Sequence, residues 1–143
     1  MADLTSILVP VDGSANSDRA VQHAIALAKA APGMALHLLN VQASVGSLVT
    51  MFVPKSNVDS FHREEGEKAL ASALKLCADA GIKADTHISV GRPGLVVGEF
   101  VKRLGARQVV MGTRGHGGVA GVLMGSVAQD VIAHVDVPVI LVK

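Results

Sequence analysis

Five short runs rich in β-branched and aliphatic residues alternate along the chain with segments whose apolar residues recur at helical spacing. The β-rich runs cover residues 4–11, 36–41, 84–90, 108–111 and 137–142. Apolar runs without strict alternation are typical of strands covered on both faces, as in parallel sheets. The run at 84–90 alternates better, so we expect it at an edge. The order of elements predicts one domain over residues 1–143, an α/β fold with a doubly wound five-stranded parallel sheet and helices on both faces.

Four connections carry apolar residues at i, i+3 and i+4 spacing, which predicts amphipathic helices. We expect Ser17 to cap the first helix, Gly81 to end the second, and Pro93 and Gly105 to bound the third. The apolar faces comprise Val21, Ala24, Ile25 and Ala28; Leu70, Ala73, Leu74, Cys77 and Ala78; Val97, Phe100, Val101 and Leu104; and Ala128, Val131, Ile132 and Val135. Residues 42–57 show no clear period, and either a functional lid or an unrecognised helix start would explain them.

Composition excludes several classes of protein. A net charge of +1 with 17% charged residues argues against a nucleic-acid binder. No apolar run approaches the roughly 20 residues of a membrane span, and the first residues lack a signal-peptide pattern. The single cysteine, Cys77, excludes an internal disulfide and a thiolate zinc site, and we expect it to be buried as a small hydrophobe. We therefore expect a cytoplasmic protein without a nucleic-acid or membrane partner, and we expect most of its six histidines at the surface.

Two segments leave the carboxyl ends of predicted strands, where open α/β sheets bind ligands. One is residues 10–14, and the other is residues 112–126, which hold six of the fifteen glycines. Glycines in a loop that feeds a helix N-terminus let backbone amides approach an anion closely. The segment is not a P-loop, because Gly125 is followed by Ser126 and not by lysine. Residues 115–120 match the loose dinucleotide fingerprint, but Asp136 precedes the next strand, where the fingerprint needs an acid at the strand's end.

The remaining pattern, Gly112-x2-Gly115-x9-Gly125-Ser126, resembles the signature of the ATP-binding subgroup of universal stress proteins. The resemblance covers essentially the whole chain, including residues 7–14, 40–41, 91–93 and 136–142. It implies an adenine nucleotide alpha hydrolase-like fold that binds ATP, with Mg held through the nucleotide. It also implies a homodimer formed through the C-terminal strand, whose apolar run is consistent with an edge that pairs with its copy.

Carried over position by position, the resemblance implies that Asp12 faces the ribose or a phosphate-bound metal and that Val41 contacts the adenine. The phosphates would lie against the segment from Gly112 to Val127. The implied nucleotide-binding residues are Pro10, Val11, Asp12, Val41, Met111, Gly112, Arg114, Gly115, Gly125, Ser126 and Val127. His116, in the same loop, is a further candidate for contact with the nucleotide.

Each of these roles has a structural alternative. Residues 12–14 could form only a turn and a helix cap, Ser126 could be only an N-cap, and Arg114 could be a solvated charge. The glycines could simply mark a loop, although their number and register argue against this.

The resemblance implies a nucleotide-dependent regulatory module of the stress response. A slow ATPase or autophosphorylating enzyme is an alternative, but neither loop offers a general base or a second carboxylate, so no catalytic residue is assigned. A nucleotide-free interaction protein of the same fold is a second alternative, which the intact glycine pattern opposes.

Overall fold

A computed structural model of the chain describes residues 6–114 and 124–143. In chain order the elements are β1 Ser6–Pro10, α1 Ala15–Ala30, β2 Ala35–Gln42, α2 Ser47–Phe52, α3 Lys55–Asp79, β3 Ala84–Val90, α4 Pro93–Leu104, β4 Gln108–Gly112, α5 Ser126–His134 and β5 Val139–Val142. The strands form one sheet in the order β3-β2-β1-β4-β5, and every neighbouring pair is parallel. The predicted α/β class, the parallel sheet and the edge position of β3 are confirmed.

Successive residues of the central strand β1 serve two cores, one on each face of the sheet. Ile7 packs with α1 and α3, and the next residue, Leu8, packs with α4 and α5. Both side chains are fully buried. An apolar strand without alternation is therefore a direct consequence of a sheet covered on both faces, as the sequence predicts.

Helix α1 begins one turn earlier than predicted. Ser14 is its N-cap, and the Ser14 side-chain oxygen accepts a hydrogen bond from the Ser17 amide at 3.1 Å. The predicted cap at Ser17 is wrong, because the chain already turns at Gly13, whose φ is +83°. The Ser17 hydroxyl instead accepts a hydrogen bond from the Asp12 amide at 3.3 Å.

The other predicted helix ends are confirmed. Gly81 follows α3 with φ +71°, and the amide of Ile82 donates to the carbonyl of Cys77 in the last turn of the helix. This closure satisfies a carbonyl that the helix itself leaves unpaired. Helix α4 begins at Pro93 and is capped by Gly105 at φ +64°. Cys77 is buried as predicted, and burial raises the pKa of its thiol.

Residues 42–57 hold α2 and the first residues of α3. The alternative of an unrecognised helix start is therefore confirmed. The sequence shows no apolar period there because α2 has no buried residue and the first buried residue of α3 is His62. None of the helices in residues 6–114 and 124–143 has the length and apolar character needed to cross a membrane.

Candidate functional site

The carboxyl ends of β1 and β2 are joined by Asn40, which is 4% exposed. Its Nδ2 donates to the Val11 carbonyl at 2.8 Å, and its Oδ1 accepts from Nε2 of Gln42 at 2.6 Å. The Val11 amide in turn donates to the Leu39 carbonyl at 2.8 Å. A buried amide that is hydrogen-bonded through both its nitrogen and its oxygen fixes the ends of both strands relative to each other. Asn40 therefore holds the adjacent Val41 in place at this edge of the sheet.

A cleft of about 470 Å³ lies beside these strand ends. It is lined by Asp12, Gly13, Asn40, Val41, Gln42, Ala43, Glu65, Lys68 and Ala69. Its volume falls within the range of about 300–1,000 Å³ that is usual for small-molecule sites. Gly13 lets the first loop approach the wall of this cleft, because an added Cβ there would lie 3.3 Å from backbone atoms of Ala69. The fold thus brings Asp12 and Val41, 29 residues apart in the chain, into one cleft.

Asp12 is exposed, and its Oδ1 accepts a hydrogen bond from the Ser14 amide at 2.9 Å. The turn-and-cap role of residues 12–14 is therefore confirmed, and it leaves the carboxylate at the cleft. In the described part of the chain, no three side chains of histidine, cysteine, aspartate or glutamate gather as a metal site. A magnesium ion near Asp12 would thus take most of its oxygen ligands from a nucleotide and from water, as is usual for this ion.

Strand β4 is the other neighbour of β1, and its carboxyl end is tied to α1 by two hydrogen bonds of the Asn16 side chain. The Asn16 Nδ2 donates to the Val142 carbonyl at 2.9 Å, and its Oδ1 accepts from the Arg114 amide at 2.8 Å. Gly112 leaves room for these two hydrogen bonds, because an added Cβ at Gly112 would overlap the Asn16 side-chain amide. In the sequence, Asn16 is a single polar residue just before the predicted cap at Ser17, and nothing local marks its contacts. Its role is to position the start of the glycine-rich segment.

The two ends of the glycine-rich segment are joined at its base, where the Gly125 amide donates to the Thr113 carbonyl at 2.6 Å. Residues 115–123, with the predicted site residue Gly115 and the candidate His116, lie outside the described residues. Gly125 is the N-cap of α5, so the alternative that Ser126 caps this helix is wrong; Ser126 is the first helical residue.

The N-cap residue of α5, Gly125, has no side chain, and no other side chain in residues 6–114 and 124–143 caps the first turn. Its first amides therefore have no partner within the helix, and the helix dipole favours an anion at this end. Gly125 has an ordinary φ of −75°, and an added Cβ would make only van der Waals contact, 3.4 Å from the Thr113 carbonyl oxygen. The backbone of the protein alone does not require glycine at this position.

The remaining predicted site residues divide by exposure. Val11 and Met111 are buried in the two cores, and Pro10 is half-buried, so these residues act chiefly by placing backbone at the edge. Arg114 and Val127, like Ser126, are exposed beside the start of α5. Because β1 lies between β2 and β4, the cleft and the uncapped helix belong to one continuous edge.

The chain matches the family model described as the universal stress protein family over residues 4–143. It is 34% identical to a universal stress protein of Methanocaldococcus jannaschii, an alignment that covers 96% of this chain and 81% of that protein. The structure superposes on universal stress protein UspA from Lactobacillus plantarum with a TM-score of 0.80 at 23% identity, covering 100% of both chains. It also superposes on a universal stress protein in complex with cAMP, with a TM-score of 0.73 at 25% identity and 97% of each chain covered. The adenine nucleotide alpha hydrolase-like fold is thereby confirmed, and the chain belongs to the universal stress protein family.

Proposed function

We propose that the edge formed by the carboxyl ends of β2, β1 and β4 binds an adenine nucleotide, and that the ligand is ATP with its magnesium ion. One observation carries the proposal: a small-molecule cleft lies at the carboxyl ends of β1 and β2, and the N-terminus of α5, which no side chain of the described residues caps, lies beside the end of the next strand, β4. A nucleotide has a flat base at one end and an anionic chain at the other, which matches these two features. The similar universal stress protein that was solved in complex with cAMP supports the same class of ligand.

In this proposal the base and ribose lie in the cleft, where Val41 contacts the adenine and Asp12 faces the ribose or the magnesium ion. The phosphates lie against the amides of Ser126 and Val127 and beside Gly125, whose own amide is held by the Thr113 carbonyl. Arg114 lies nearby as a cation. Gly112 and Gly115 belong to the same phosphate-binding segment, and Pro10, Val11 and Met111 contribute backbone. Nucleotides with different numbers of phosphates differ in charge and shape. Bound ATP can therefore favour a conformation of the protein that other nucleotides do not favour, as a regulatory module requires.

We also propose that two copies associate through β5. This strand is an edge of the sheet, and its four residues Val139–Val142 are all partly exposed. Its outer main-chain groups have no neighbouring strand in the described sheet, and an apolar edge strand is a template for pairing with another chain. A dimer would place the nucleotide-binding segments beside the shared interface, because Val142 accepts hydrogen bonds from Asn16 and from the Thr113 amide.

The test of nucleotide binding is the variant Gly125→Asp, titrated with Mg-ATP by calorimetry. An aspartate at an N-cap favours the helix, so α5 should keep its stability while the carboxylate takes the place proposed for a phosphate. Hydrogen bonds to a charged group contribute about 1.5–3 kcal/mol each, so loss of two of them weakens binding at least about 100-fold.

Gly46→Asp is the matched control. Gly46 is the N-cap of α2, also without a side-chain cap, and an added Cβ there meets open space. This variant should bind Mg-ATP as the parent does. The proposal fails if the parent shows no binding, or if the two variants have equal affinities.

A further inference from the structure

A second cleft, of about 440 Å³, lies next to the proposed nucleotide site. It is enclosed by the β2–α2 connection and the first turns of α3. It is lined by Ser44, Val45, Thr50, Val53, Lys55, Val58, Asp59, His62 and Val90. Four of these nine residues are valines, and they come from four different segments of the chain. The volume is again within the range of about 300–1,000 Å³ for small-molecule sites.

His62 distinguishes this cleft from a simple apolar gap. The residue is 6% exposed, and its Nδ1 has no hydrogen-bond partner among residues 6–114 and 124–143. Its ring packs edge to face against Phe61 at a centroid distance of 5.6 Å, a contact that leaves the nitrogen without a hydrogen bond. A buried polar atom without a partner is costly, and native proteins rarely keep one without a water or ligand to pair with it.

The charges at the rim favour an uncharged ligand. Lys55 and Asp59 are both exposed, and Nζ lies 3.0 Å from Oδ2, so the two groups neutralise each other. The Thr50 hydroxyl is likewise occupied, since it donates to the Ser47 carbonyl at 2.8 Å. Ser44 is exposed, so His62 is the buried polar residue of the lining, and its Nδ1 is covered and unpaired.

We propose that this cleft binds a small, uncharged and mainly apolar organic molecule that carries a hydroxyl group. On binding, the His62 ring turns so that Nδ1, which is covered in the free protein, pairs with this hydroxyl. A hydroxyl both donates and accepts, so it pairs with this nitrogen in either tautomer of the ring. The cleft is distinct from the nucleotide site but adjacent to it. His62 and Glu65 lie one turn apart on α3 and line the two clefts separately. Helix α3 would therefore contact both a ligand in this cleft and a nucleotide in the first cleft.

The probes for this proposal are 2-naphthol and naphthalene, which differ only in the hydroxyl group. Titrated into the full chain with detection by probe fluorescence, 2-naphthol should bind at one site per chain and about fivefold more tightly than naphthalene, as expected for one hydrogen bond. In His62→Phe, which keeps a buried ring of similar size, the two probes should bind equally. A preference that survives in His62→Phe would overturn the proposal, as would the failure of the parent to bind 2-naphthol.

Two further variants distinguish binding in the cleft from binding at the exposed surface of α2. Val58→Trp fills the cleft and should abolish binding of both probes, which keeps the proposal testable if His62→Phe fails to fold. Phe52 is 77% exposed and does not line the cleft, so Phe52→Ser should leave binding unchanged. Loss of binding in Phe52→Ser would assign the probe to the surface of α2 and overturn the proposal.

The nucleotide site is tested in the same titration. Gly125→Asp should bind 2-naphthol as the parent does, whether or not the parent binds Mg-ATP, so the two proposals can fail independently. Displacement of 2-naphthol by saturating Mg-ATP would show one shared site and would contradict a separate cleft.

Discussion

Substitution of alanine for Gly112 should destabilise the protein through Asn16. The added Cβ would overlap the Asn16 side-chain amide and would lie 3.2 Å from its backbone carbonyl carbon, so rotation of the side chain alone does not relieve the contact. Asn16 is 8% exposed and makes two hydrogen bonds, to Val142 and from Arg114. Loss of both costs about 1–3 kcal/mol, and the gain from replacing a strand glycine offsets about 0.5–1 kcal/mol of it.

At the middle of these two ranges, the expected net loss in the free energy of unfolding is about 1 kcal/mol. At about 2.1 cal/mol/K per residue, a chain of 143 residues unfolds with an entropy of about 0.3 kcal/mol/K, so Tm should fall by about 3–4 °C. Urea unfolding and differential scanning calorimetry measure both quantities.

Gly125→Ser is the control for Gly112→Ala, because the Cβ fits at Gly125 and serine is a favourable N-cap, so Tm should not fall. In an Asn16→Ala background, Gly112→Ala should cost less than it does in the parent, since the side-chain overlap is gone and only the contact with the backbone remains. Equal costs in the two backgrounds would show that the Asn16 side chain is not the source of the destabilisation.

Two further predictions concern the neighbouring side chains of His37 and His87 and the edge strand β5. Burial, and next the neighbouring His37, lower the pKa of His87 from its ordinary value of 6.5, so the unfolded chain takes up a proton before the folded protein does. The free energy of unfolding should therefore decrease as the pH falls from about 6.5 towards the folded-state pKa of His87. Urea titrations at several pH values measure this slope, and His87→Gln should make it smaller. An unchanged slope in His87→Gln would contradict the assignment to this residue. Light scattering of the purified chain should give twice the mass of 14.6 kDa if β5 pairs with its copy, and a monomer at all concentrations would contradict the dimer.

The fold could be predicted because both faces of the sheet are covered. Burial on two faces makes the central strands apolar throughout, and glycines at positive φ mark the helix ends at Gly81 and Gly105. The predicted cap at Ser17 failed because two serines three residues apart are equally good caps, and only the turn at Gly13 decides between them.

The features of the structure that sequence reasoning missed depend on contacts between distant segments. Asn16 and Asn40 are single polar residues, and nothing local shows that each binds the backbone of another element. His37 and His87 lie on adjacent strands, with Nδ1 and Nε2 3.1 Å apart, although their separation of 50 residues gives no pattern. The buried His62 is an exception to the expectation that most histidines lie at the surface, because a single histidine among exposed residues carries no sign of burial.

Nucleotide binding at the carboxyl edge of the sheet is best tested by a ¹⁵N–¹H NMR titration of the chain with Mg-ATP. We expect the amides of Val41, Gly125 and Ser126 to shift together and to saturate at one nucleotide per chain, with small changes at the opposite edge of the sheet. Shifts confined to residues away from the carboxyl ends of β1, β2 and β4, or no shifts at millimolar nucleotide, would contradict nucleotide binding at this edge.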